Sequence, residues 1–91
     1  MPFANEHSAR VKDPHRFRSD TFRRITLISP NSHVSLVIGK LKGDANTTVE
    51  SYRFPANWYS PEAAKLWLRQ NNVRYKKFEP ALNSDIRSIN N

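Results

Sequence analysis

The chain is expected to fold as α+β: a small two-layer domain with an antiparallel three- to four-stranded sheet and one helix, in the order β-β-β-α-β. Three observations predict this. Two β-rich runs, Phe22–Ile28 and Val34–Ile38, flank the turn-forming Ser29-Pro30-Asn31-Ser32. A third run, Thr47–Phe54, follows Gly43-Asp44-Ala45-Asn46. Ser60-Pro61-Glu62 then gives a helix start, with Ser at the N-cap, Pro at the first helical position and a carboxylate facing the positive dipole end. Ninety-one residues suit one domain.

Each element has its own justification. In the first run Ile25 and Leu27 alternate with Arg24 and Thr26, the period of a half-buried strand. Pro30 presets φ, and Asn31 and Ser32 can bond the local backbone, so the chain turns there. Leu36-Val37-Ile38 is apolar on both faces, as a central strand is, and continues through Gly39-Lys40-Leu41-Lys42. The third run places Tyr52 and Phe54 on one face and Val49, Ser51 and Arg53 on the other, and Pro55 ends it. Short connections make a meander the simplest topology. The helix carries Ala63, Ala64, Trp67 and Leu68 on one stripe, with Leu66 at its margin and Lys65 and Arg69 toward solvent, and stops near Asn71-Asn72. Val73–Phe78 alternates again and reads as an edge strand whose lysines discourage further pairing.

Outside 21–79 the pattern weakens. Residues 1–20 hold no period for more than a few positions and read as an extended basic arm, with Val11, Phe17 and Phe3 available to pin it. Residues 80–91 read as a polar, frayed tail, with a short helix through Leu82, Ile86 and Ile89 as the alternative.

Charge and composition bound the function. Lys and Arg number 15 against 8 Asp and Glu, a net charge of +7. With no cysteine there is no disulfide framework and no thiolate metal site. No apolar run exceeds Leu36-Val37-Ile38, so no membrane helix is expected, and Met1–Glu6 does not read as a signal peptide. A cytoplasmic monomer without cofactor is expected, and Asn46-Thr47-Thr48 is then no glycosylation site despite its triplet. Only Gly39 and Gly43 are glycines, too few for a nucleotide-binding loop, and no serine has a Gly-x-Ser-x-Gly setting.

The cations cluster. Arg10, Lys12, Arg16, Arg18, Arg23 and Arg24 lie in the first 24 residues, Lys40 and Lys42 close the central strand, and Lys65, Arg69, Arg74, Lys76 and Lys77 fall in an acid-free stretch, 63–78. Phosphate binding needs such clusters, because each cation placed on a phosphate releases condensed counterion. Arg10, Lys12, Arg16, Arg18, Arg23, Arg24, Lys40, Lys42, Arg74, Lys76 and Lys77 are therefore the candidate RNA or DNA contacts. Interleaved Phe17, Phe22, Tyr52, Tyr59, Tyr75 and Phe78 would suit stacking on single-strand bases, or else form the core. His7, His15 and His33 match no metal spacing; they read as surface histidines, the alternative being acid–base groups of a small ribonuclease. Trp67 reads as core, whereas Trp58-Tyr59 would either staple the start of the helix or anchor an interface.

His7–Pro14, Phe22–Ile25, Gly39–Gly43, Tyr52–Pro55 and Trp58…Glu62–Leu68 together resemble a pattern in small proteins encoded by bacteriophages and prophages. The resemblance covers roughly residues 6–79. It implies a phage protein in the cytoplasm of a bacterial host, and among proteins of this size the anti-CRISPR inhibitors bind a Cas ribonucleoprotein without catalysis. By that resemblance the partner is a Cas protein–guide RNA complex and the basic surface blocks target hybridisation. The alternative is a stand-alone nucleic-acid-binding protein in packaging, transcription or capsid assembly.

Overall fold

A computed structural model describes residues 3–27 and 33–83 of the chain. Five strands form one antiparallel sheet: β1 (Glu6–Arg10), β2 (Arg23–Thr26), β3 (Ser35–Lys40), β4 (Thr47–Pro55) and β5 (Lys77–Glu79). One helix, α1 (Pro61–Gln70), lies between β4 and β5, and two short 3-10 turns, Pro14–Arg16 and Ser19–Thr21, link β1 to β2. The fold is α+β. The strand order is β2-β3-β4-β1-β5, so β2 and β5 are the edges.

The N-terminal segment departs from the extended arm expected of residues 1–20. Residues 6–10 are an inner strand and not an arm: β1 pairs with β4 from Glu6↔Pro55 to Arg10↔Ser51 and with β5 from Ser8↔Glu79 to Arg10↔Lys77. Its hydrophobic signal is weak because the side chains it turns toward the helix are His7 and Ala9, one polar and one small. Both are fully buried. The Ala81 backbone N–H donates to His7 Nδ1 at 2.9 Å, so Nε2 carries the proton and donates to the Tyr59 carbonyl at 2.6 Å. His7 is thus a core group with both ring nitrogens engaged, and not a surface histidine. Residues 80–83 also belong to the fold, since Leu82 and Asn83 donate to the Phe3 and Ala4 carbonyls and Ala81 is buried. The turn expected at Ser29-Pro30-Asn31-Ser32 and the alternative terminal helix through Ile86 and Ile89 lie outside the described residues.

The helix forms as its start signal demands. Ser60 accepts from the Ala63 N–H at 3.1 Å and Pro61 occupies the first turn. Ala64 and Leu68 are fully buried against Ala9, Val34 and Phe54, with Tyr52, Tyr59, Trp67, Val73 and Phe78 around them. The Phe54 ring meets Tyr59 and Trp67 edge-on at 5.3 and 5.5 Å. At the other end Val73 N–H bonds the Leu68 carbonyl and Asn72 N–H that of Arg69, with Asn72 in the left-handed region at φ 57°. This is a Schellman stop, for which asparagine substitutes for glycine.

Strand β4 does not alternate throughout. Val37 pairs with Ser51 but Ile38 pairs with Val49, so Glu50 is an extra residue in a bulge. The bulge moves Val49 onto the face of Leu36 and Tyr52, against the simple alternation expected. The Glu50 carbonyl instead accepts from Val11 and Lys12 at 2.7 and 3.2 Å, which holds the chain as it leaves β1.

Candidate nucleic-acid interface

Antiparallel register brings the ends of distant segments together. The C-terminal ends of β1 and β3, the N-terminal ends of β2, β4 and β5, and the last turn of α1 all reach the same end of the sheet. That end carries Lys12, Arg16, Arg18, Arg23, Lys40, Lys42, Arg69, Arg74 and Lys76. Four strand spacings make it about 19 Å wide.

The densest part is a two-stranded ladder. Phe17 pairs with Leu41, Arg18 N–H bonds the Lys40 carbonyl at 2.8 Å, and Lys42 N–H bonds the Arg16 carbonyl at 2.9 Å. Side chains alternate along such a pair. Phe17, 2% exposed, turns inward, and its ring sits where a Cβ on Gly39 would be 3.1 Å away. The two backbone hydrogen bonds set Arg16 opposite Lys42 and Arg18 opposite Lys40, so four cations are neighbours along the backbone here. Arg23 and Lys40 share a shallow pocket with Asp20, Thr21 and Thr47. Lys76 N–H bonds the Arg10 carbonyl at 2.7 Å, which places Lys76 beside the departing β1 chain.

Among the described residues only Arg18 of these nine cations makes an ion pair, with exposed Asp20 at 3.8 Å. The acids at this end serve local turns. Asp13 accepts from the His15 N–H, which holds its carboxyl below the ordinary carboxylate range. Asp44 accepts from the Asn46 N–H in the β3–β4 turn. The end is left strongly positive.

Three predicted contacts go elsewhere. Arg10, Arg24 and Lys77 lie on the sheet face away from the helix, in a network of ion pairs. Arg24 donates from Nη1 and Nη2 to the two Glu6 carboxylate oxygens at 3.0 Å each, and Arg53 donates to the same carboxylate at 2.8 Å. Arg53 also reaches Ser51 at 2.8 Å and Glu50 at 3.7 Å. Glu79 takes Arg10 at 3.8 Å and Lys77 at 3.9 Å. Burial works against the Glu6 charge, but the hydrogen bonds and charges of Arg24 and Arg53 outweigh it and keep the carboxyl below its ordinary value. These cations already face carboxylates on the sheet. Conversely Arg69, absent from the contacts expected on sequence, joins the cationic end; its position in the last helical turn, five residues before Arg74, is the signal that could have found it.

The aromatics divide as clearly. Phe17 is core, Phe22, Tyr52, Tyr59 and Phe78 are partly buried by packing, and Tyr75 is 37% exposed at the cationic end. Tyr59 backs the core, whereas Trp58 is 59% exposed at the opposite end, with its ring stacked on His33 at 3.8 Å and 11°. His15 sits exposed in the first 3-10 turn, far in register from buried His7, so the two cannot act as an acid–base pair. Among the described residues there is no group of acids and histidines able to hold a metal, and no helix is long and apolar enough to cross a membrane. Comparison with protein-family models, curated proteins and solved structures finds no match.

Proposed function

We propose that this protein binds the phosphate backbone of a nucleic acid through the cationic end of its sheet, as a binding module without a reaction of its own. The supporting observation is the separation of its charges. The cations on the sheet face are paired with Glu6, Glu50 and Glu79, while among the described residues only Arg18 of the cations at the sheet end lies within 4 Å of a carboxylate, and Lys76 meets the Asp13 charge at longer range. Ion-paired cations already have their counter-charge, whereas unpaired ones gain most from phosphate and release counterions on binding it. A width of about 19 Å spans five or so phosphates of one duplex strand, at about 3.4 Å of axis each.

Within this reading, the resemblance to phage proteins supports a narrower role: inhibition of a host Cas protein–guide RNA complex, with the cationic end docked on guide RNA or in the target-strand groove so that target DNA cannot hybridise. The alternative is stand-alone binding in packaging, transcription or capsid assembly. One titration separates them. Binding to free RNA or DNA and to an assembled Cas–guide complex is measured at two salt concentrations. Tight binding to the complex with weak binding to naked nucleic acid supports the inhibitor. Comparable, steeply salt-dependent binding to naked RNA or DNA supports the stand-alone role, and binding to neither overturns the proposal.

A further inference from the structure

Beside the cationic end lies a groove of about 810 Å³ between the outer face of α1 and the chain that follows it. The Schellman stop at Asn72 creates it, by folding Val73–Tyr75 back alongside the last helical turns. Lys65, Arg69 and Arg74 supply three cations to its walls, and Leu66, Val73 and Tyr75 supply apolar surface. Glu62, at the helix start, is the one acid in the lining. Leu66 is 44% exposed and Tyr75 37%, so the apolar part of the lining is open to a ligand.

Two contacts fix the geometry from behind. Phe78 lies under Lys65, whose Nζ is 5.1 Å from the ring centre, and its ring also meets Tyr75 at 6.2 Å and 59°. A positioned aromatic ring with cations at its margin meets the two demands of a single-stranded nucleotide: a surface for base stacking and charge for the flanking phosphates. The volume falls within the range of about 300–1,000 Å³ usual for small-ligand sites. A paired base has both faces stacked within the duplex and cannot enter.

We infer that this groove holds an unpaired nucleotide of a single-stranded RNA or DNA, with its base on Tyr75 and its phosphates between Lys65, Arg69 and Arg74. The inference rests on the phosphate-binding reading above and adds to it a preference for single strands. An acidic peptide would satisfy the cations but makes no use of a flat ring.

The test compares a short oligothymidylate, an abasic oligomer of the same length and a matched duplex, binding being followed by fluorescence anisotropy. The wild-type protein is expected to bind oligothymidylate more tightly than the abasic strand by about 5- to 150-fold, the equivalent of one stacked base. Tyr75→Ala should remove that advantage while leaving duplex affinity unchanged, and Tyr75→Phe should restore it. The abasic comparison needs no variant and so stands even if Tyr75→Ala fails to fold. Equal affinity for the abasic and base-bearing strands overturns the inference, as does a Tyr75→Phe variant that behaves like Tyr75→Ala. Binding of labelled poly-glutamate that oligothymidylate cannot compete away would also overturn it, in favour of a peptide. Duplex binding that depends on Lys40 and Lys42, with no advantage of base-bearing over abasic single strands, sinks the groove and leaves the phosphate-binding reading standing; absence of binding to every nucleic acid sinks both.

Discussion

The two ends of the sheet are built from the same strands and differ in almost everything else. One end gathers nine cations of which, among the described residues, only Arg18 makes an ion pair. The other, where β1 and β3 begin and β4 ends, has its polar groups tied down: Glu6 is shared by Arg24 and Arg53, His7 is bonded at both nitrogens, and Arg53 is covered by the Phe3 ring at 4.2 Å. Its exposed large apolar side chains are Phe3, Trp58 and Leu82, set among exposed uncharged Asn5, Asn57 and Asn83. A count of cations along a chain is therefore a poor guide to a binding surface. What matters is whether strand register delivers each cation to an acid or to open solvent.

Variants at the two ends should fail in different ways. The largest effect is expected from Lys40→Glu with Lys42→Glu. Reversing two charges in the four-cation ladder should weaken nucleic-acid binding by about 100-fold or more at low salt, with little change in melting temperature. A Lys77→Ala variant should change binding by less than about twofold in the same assay, because Lys77 is already opposite Glu79.

Glu6→Gln should show the reverse pattern. It removes the charge that Arg24 and Arg53 share, and Arg53 is largely buried, so a loss of about 2–3 kcal/mol in denaturant unfolding is expected with binding unchanged. The pH dependence follows in sign. Glu6 has a lowered folded-state pKa, so its contribution is fully present above its ordinary value of 4.5 and disappears as pH falls through the depressed one. Acid should thus narrow the stability gap between wild type and Glu6→Gln, while the gap stays constant from about pH 6 to 8.

Gly39→Ala comes next. Its Cβ would lie 3.1 Å from ring atoms of both Phe17 and Phe22, so both rings must give by a few tenths of an ångström. Phe17, 2% exposed, has little room to do so, and about 1 kcal/mol of destabilisation is expected in thermal or denaturant melts. Since Phe17 anchors the ladder, binding should fall in proportion to the disorder it introduces at Arg16 and Arg18. The smallest effect is expected from Trp58→Ala, which removes one exposed stack on His33 worth about 1 kcal/mol or less and should not alter nucleic-acid affinity. A loss of affinity there would erase the distinction between the ends.

Much of this fold is legible in the residues alone. Ser60-Pro61-Glu62 marks the helix start, Gly43-Asp44-Ala45-Asn46 marks the turn between β3 and β4, and Val73–Phe78 overlaps β5, although the strand itself is shorter. What escapes is β1. A strand normally announces itself by large apolar residues at every second position, and here those positions are His7 and Ala9. Its place depends on partners more than forty residues away, at Tyr52 and Phe54, which no local period reports. The binding surface is half legible for the same reason. Lys40, Lys42, Arg16 and Arg18 look no different in sequence from Arg10 and Arg24. Only the pairing of Phe17 with Leu41 sets the first four side by side, and only the fold of β1 brings Glu6 to Arg24.

Whether the cations at one sheet end bind phosphate is decided by the salt dependence of binding. Log K for a short nucleic acid is measured against log salt for the wild type and for a variant with Arg16, Arg18, Lys40 and Lys42 all changed to Ala. A steep wild-type slope is expected, shallower by about 3 in the variant, since each neutralised phosphate contributes about 0.7–0.9. Equal slopes for the two proteins would mean that phosphate is not what this surface binds.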